Sequence, residues 1–209
     1  KRINLEEEDM KKILFAASEC VPFIKTGGLA DVVGSLPKCF DKEKYDVRVM
    51  IPNYMCIDHK WKEKMTYVDH FYMDLCWRRQ YVGIMEMEYE GVKFYFIDNE
   101  YYFSGERPYS DPRYDLEKFA FFSRAVLSAL PVIDFRPDII HCHDYHTGLI
   151  PVYLKDSFAN GEFYQGIKSI MTIHNLKFQG VWDIDTIKDL AGLSDYYFTS
   201  DKLKDYDNG

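Results

Sequence analysis

The stretch KTGGLADVVGSLPK, residues 25–38, follows an apolar run and opens a helical pattern. Leu29, Val32, Val33 and Leu36 fall at i, i+3, i+4 and i+7, one face of a helix that Gly34 weakens and Pro37 kinks or ends. Upstream, ILFAA over 13–17 suits a strand buried on both faces. Downstream, Val47, Val49, Met50 and Ile51, closed by Pro52, suit a second strand. Strand, glycine turn, helix, strand is the order of a βαβ unit with a right-handed crossover. The expected fold class is therefore α/β, a Rossmann-like, doubly wound, mostly parallel sheet.

The rest of the chain extends that frame. Tyr81–Met85 and Lys93–Ile97 flank a Glu90-Gly91 turn signal and read as a β-hairpin insertion. A polar loop over 99–113 is followed by a helix that Asp115 is expected to cap, running to about Leu130 with Pro131 beyond its end. A strand over 138–143, a helix over 147–158, a strand over 169–174 and a short helix over 185–190 complete the pattern. Residues 1–9 are polar and acidic and read as an upstream linker; the domain is expected over 10–209.

In doubly wound sheets ligands collect at the carboxyl ends of the strands. Three such ends carry unusual residues: Lys25 to Gly28, His141 to His146, and His174-Asn175. The glycine turn is neither G-x-G-x-x-G nor a Walker A loop, and no acidic residue ends the second strand to hold a ribose. It offers backbone N–H groups at a helix N-terminus, unobstructed by Cβ atoms, which suit phosphate oxygens. The plainer alternative is a tight turn with glycine at positive φ.

His141, His143, Asp144 and His146 invite a metal reading, that of a metal-dependent hydrolase. The binuclear pattern H-x-H-x-D-H is not met, because the aspartate comes one place early, and no metal is expected. The same residues suit hydrogen-bonded histidines at a strand–helix junction, or a polar pocket that recognises hydroxyls. His174 and Asn175 supply donors and acceptors of the kind a sugar demands, or cap a loop. Tyr101, Tyr102 and Phe103, in a polar loop, are core residues or sugar-stacking ones. No G-x-S-x-G nucleophile motif occurs.

Composition bounds the partners. Hydrophobic residues make up 47% of the 209, ample for a core. No apolar run reaches the roughly 20 residues of a membrane span, and no apolar leader follows the opening Lys-Arg, so neither a membrane nor a secretory signal is expected. A formal charge of -8 without a basic stripe argues against nucleic acid. Five scattered cysteines without a C-x-x-C fit reduced thiols in a cytoplasm.

KTGGLADVVGSLP after a strand ending in Ala-Ser-Glu, then HCHDYHTGLIPVYLK, then TIHNLKFQGVW, resemble the bacterial glycogen synthases and plant starch synthases. The resemblance covers nearly the whole chain from about Met10. It implies the N-terminal, acceptor-side half of a GT-B fold, two Rossmann-like domains facing across a cleft. It implies a retaining transfer of glucose from ADP-glucose to the non-reducing end of an α-1,4-glucan. By the same resemblance, Lys25 contacts the sugar nucleotide, while Gly27 and Gly28 let its diphosphate approach the backbone. Asp144 and His174 line the glucose site, with Asn175 and His143 beside them. No cofactor is implied. The family's C-terminal nucleotide-binding domain has no counterpart in these residues and is the implied partner. A non-catalytic glycan-binding module is the remaining alternative.

Overall fold

A computed structural model describes residues 10–204; the expected linker over 1–9 lies outside the described residues. Seven strands form one sheet: β1 (Lys11–Ala16), β2 (Tyr45–Pro52), β3 (Thr66–Leu75), β4 (Arg78–Tyr89), β5 (Val92–Asp98), β6 (Ile139–His143) and β7 (Lys168–Thr172). The helices are α1 (Gly28–Ser35), α2 (His59–Lys62), α3 (Glu100–Phe103), α4 (Pro112–Val132), α5 (Leu149–Lys155) and α6 (Ile184–Ala191).

The spatial order is β3-β4-β5-β2-β1-β6-β7. β5, β2, β1, β6 and β7 are mutually parallel neighbours, while β3 and β4 run antiparallel at one edge. The parallel part therefore winds outward from β1 in both directions. Its topological switch lies between β1 and β6, where Phe15 faces His141 and Ala16 faces Cys142. Ligand crevices form at that point because the chain leaves the two strands in opposite directions.

The core follows from the buried strands. Leu14, Phe15, Ala16, Val49, Met50, Ile51, Phe96 and Ile97 are wholly buried, as expected for a parallel sheet covered on both faces. From Lys118 to Leu130, α4 is buried on nearly all sides, with Phe121, Phe122, Ala125, Val126 and Leu130 among its buried residues, and packs against β3, β5, α5 and α6.

Three expectations change. The hairpin around Glu90-Gly91 forms, but its return strand β5 pairs in parallel with β2 and belongs to the main sheet rather than to an insertion. β3 escapes the sequence reading altogether, because its outward positions carry Tyr67, His70 and Tyr72 and mask the alternation. The cap of α4 is Asp111, whose carboxylate accepts from the N–H groups of Arg113 and Tyr114, with Pro112 in the first turn. Asp115 is buried instead and paired with Lys118, and Pro131 sits inside the last turn.

Candidate active site

The first wall of the site is the connection from β1 to α1. Glu19 is buried, and its carboxylate accepts from the Thr26 N–H and, at 2.9 Å, from the Thr26 hydroxyl. That pair folds the connection back and delivers Gly27 as the cap residue of α1. Gly27 has extended backbone (φ -149°), so the alternative of a tight turn at positive φ is corrected. The glycines serve space rather than conformation: a Cβ on Gly28 would meet nothing within 4 Å. Among the described residues no side chain caps the helix, which leaves its first-turn N–H groups without a side-chain acceptor. Lys25 is half exposed, and its Nζ lies 2.7 and 2.8 Å from the Asp31 carboxylate oxygens, over the first turn of α1.

The second wall is the exit of β6. The His143 N–H donates to Thr147 Oγ1 at 2.7 Å, and that hydroxyl donates back to the His143 carbonyl at 2.9 Å. Asp144 then takes a left-handed conformation, φ 56°, which among residues with a Cβ is tolerated best by Asn and Asp. The turn aims the Asp144 carboxylate at the end of β7, where Oδ1 accepts from the His174 N–H at 2.7 Å and more loosely from Asn175 N–H at 3.4 Å.

The third wall is the segment after β7. His174 Nε2 lies 2.9 Å from His143 Nδ1, and the two rings are within 11° of coplanar at 5.2 Å between centroids. That is the spacing of imidazoles joined edge to edge through one hydrogen bond. His143 is wholly buried beneath the surface, while His174 is only partly covered. Asn175 is exposed, and its Oδ1 accepts from the Lys177 N–H, so the side chain caps a loop.

His141 and His146 face elsewhere. His141 Nε2 pairs with the Thr172 hydroxyl at 2.7 Å. The His146 ring packs between Tyr109, at 4.9 Å, and Phe119, at 4.6 Å. Burial, and secondarily the Lys118 charge, pushes its pKa down to about 3. Burial likewise pushes His143 down to about 3, helped by His141 and His174. Both rings are therefore neutral near pH 7. Among the described residues no three His, Cys, Asp or Glu side chains converge as a metal site would require. The donors of the hydrolase alternative point to separate partners.

Sequence reading missed the residues that tie the walls together. The Tyr109 hydroxyl is 2.7 Å from Ser18 Oγ, so one side chain bridges the β1 exit and His146. The loop that carries Tyr109 is clamped by Lys118, whose Nζ donates to the Pro108 carbonyl and to Asp115 Oδ1, both at 2.7 Å. The Ser-Glu pair directly after a buried strand was the available signal for the first wall. Tyr102 and Phe103 prove to be core, Tyr102 stacked on Phe121 and Phe103 tilted against it, and only Tyr101 of that trio is exposed.

The structure thus joins His143, Asp144, His174 and Asn175 by direct hydrogen bonds. Lys25, Gly27 and Gly28 stand on the neighbouring loop, linked through Glu19, Ser18 and Tyr109.

The fold and the sequence have known counterparts. The chain is similar to the catalytic domain of starch synthase IV from Arabidopsis thaliana, solved bound to ADP and acarbose. The TM-score is 0.81 and the identity 26%, over 96% of this chain and 41% of that one. It is 70% identical over 199 residues to the glycogen synthase of Lachnospira eligens, covering 95% of this chain and 42% of that protein. It is 50% identical over 196 residues to the glycogen synthase of Geobacillus stearothermophilus, covering 93% and 40%. The chain spans about two-fifths of the length of the curated relatives it matches. With the family model of the starch synthase catalytic domain matching residues 12–209, the chain belongs to that family and carries part of its GT-B fold.

Proposed function

We propose that residues 10–209 are the N-terminal, acceptor-side domain of a retaining glucosyltransferase. Its donor is ADP-glucose, and its acceptor the non-reducing end of an α-1,4-glucan. The observation that carries this reading is that the glycine-bordered start of α1 and Asp144, hydrogen-bonded to His174, follow the carboxyl ends of the adjacent parallel strands β1 and β6. The names of the relatives and the ADP on the Arabidopsis enzyme support it.

The residues divide the work by charge. The N–H groups at the start of α1 and the Lys25 ammonium stabilise the diphosphate as negative charge develops on leaving. His174 and Asp144 fix the glucose, His174 by its ring and Asp144 by holding the His174 backbone in place. No nucleophilic side chain is needed in this half, since the acceptor hydroxyl attacks on the face the diphosphate leaves. A second Rossmann-like domain closes the cleft, excludes water and carries most of the nucleotide contacts.

A radiolabelled transfer assay with glycogen primer tests the proposal. It compares residues 1–209 with a protein extended to the relatives' full length. The extended protein is expected to transfer glucose and the 209-residue chain to show none. With most donor contacts absent, the shorter chain should bind ADP-glucose in the millimolar range or weaker as an order of magnitude. Transfer by the shorter chain alone would overturn the two-domain reading, and inactivity of both would favour a glycan-binding module.

A further inference from the structure

His143 touches no solvent, yet it is hydrogen-bonded to the ring that faces the site. Its two nitrogens have different surroundings. Nδ1 meets His174 Nε2 at 2.9 Å, while Nε2 is buried with no hydrogen-bond partner among the described residues. Phe15 lies nearly parallel to the ring at 5.4 Å on centroids, and His141 stacks at 4.2 Å.

With one proton on each ring, the hydrogen bond between the two imidazoles can be written two ways. If His174 donates from Nε2, then His143 carries its own proton on Nε2, and a polarised N–H is stranded in an apolar pocket. If His143 donates from Nδ1, the stranded atom is only a lone pair. Orphaned buried N–H groups are the rarer of the two in folded proteins. The doubly protonated form of His143 is removed by burial, which holds its pKa at about 3.

We infer that His143 is a positioning residue: it donates from Nδ1 to His174 Nε2 and thereby fixes His174 as the tautomer with its proton on Nδ1. His174 then offers the site its Nδ1–H as a donor, suited to an oxygen of the sugar, and no free basic lone pair. The inference about catalysis rests on His174 facing the substrate, as proposed above, but the tautomer does not. Since Asp144 pins the backbone of His174 and His143 pins its ring, the side chain is held at both ends.

Long-range proton–nitrogen correlation spectra of the histidine-labelled 209-residue chain at neutral pH read the tautomer directly. The expected result is one His174 imidazole with a protonated Nδ1 and a lone pair on Nε2. A protonated Nε2 on His174 in the unmodified chain would overturn the inference. His143→Asn places an amide N–H near the position of Nδ1 and should keep the Nδ1–H tautomer. His143→Phe fills the pocket without a donor and should release His174 toward the Nε2–H form that free histidine prefers. In the extended protein, His143→Phe should lower kcat by about tenfold or more with glucan KM little changed, and His143→Asn should retain more of it. Equal losses in the two variants would make His143 merely structural and sink the inference. If the tautomer is as stated but His174→Ala transfers glucose normally, the inference stands and the role proposed for His174 fails.

Discussion

The Asp144 carboxylate accepts a 2.7 Å hydrogen bond from the backbone N–H of His174 across the ends of β6 and β7. A side chain on one strand thus sets the path of the chain leaving the next. Replacing Asp144 by Ala strands that N–H and puts a residue with no local hydrogen bond at φ 56°. The cost should be about 2 kcal/mol, read in urea melts. Asp144→Asn keeps an acceptor and tolerates the backbone, so it should lose less than half as much stability. Equal losses would show that the charge, not the acceptor, holds the junction.

The Lys118–Asp115 pair is buried, at 3% and 5% side-chain exposure. Lys118→Met leaves the carboxylate uncompensated and should cost about 3–5 kcal/mol. It also releases the Pro108 carbonyl and with it the loop that seats Tyr109. The double variant Lys118→Met, Asp115→Leu should recover part of the stability. A cycle with no coupling would show that the two charges do not compensate each other.

Lys25 presents the opposite case. It and Asp31 are each about half exposed, at 52%, so their pairing contributes little to stability, within about 1 kcal/mol. In the extended protein Lys25→Ala should leave the melting temperature nearly unchanged. Use of the sugar nucleotide should fall roughly thirtyfold, the equivalent of about 2 kcal/mol for a lost charge-assisted contact. Unchanged donor kinetics would reduce the KTGG stretch to architecture.

Buried neutral histidines give the fold an acid limit. The pKa of His146 is about 3 when folded, against the 6.5 of an open histidine. The unfolded chain therefore binds the proton first, and stability drains away as pH falls below about 6.5 and goes on falling toward 3. At pH 5 this one ring should have removed on the order of 2 kcal/mol relative to pH 7. His146→Phe should flatten that part of the stability–pH curve; an unchanged slope would mean the ring is already protonated in the folded state.

How much of this was legible depended on whether a residue's role was local. The βαβ start was readable because Leu29, Val32 and Val33 declare a helix face and 13–17 a buried strand. The loops bearing Lys25, Asp144 and His174 could be singled out because each follows a strand, at the carboxyl edge where a doubly wound sheet collects its ligands, while the roles of those residues came only from the family resemblance. Asp115 was misread because its partner, Lys118, is visible only as a buried pair in the fold, whereas Asp111 and Pro112 had the better local claim to the cap. Tyr109 could not be singled out among the tyrosines of its loop, since its contacts to Ser18 and His146 lie 91 residues upstream and in a different connection. β3, an edge strand with aromatic residues facing solvent, lacks the alternation on which strand reading depends.

If the diphosphate sits where proposed, the open space over Gly28 sets folding and ligand binding against each other at a single carbon atom. Alanine there would meet nothing within 4 Å among the described residues, and it suits a helix better than glycine. Gly28→Ala should therefore stabilise the chain by up to about 1 kcal/mol, while its methyl group occupies the approach to the α1 N-terminus. A selection for thermal stability alone would accept that change, and a selection for turnover of the sugar nucleotide would reject it. Under the proposed function, Gly28 thus gives up helix stability at its first turn in exchange for room beside the α1 N-terminus.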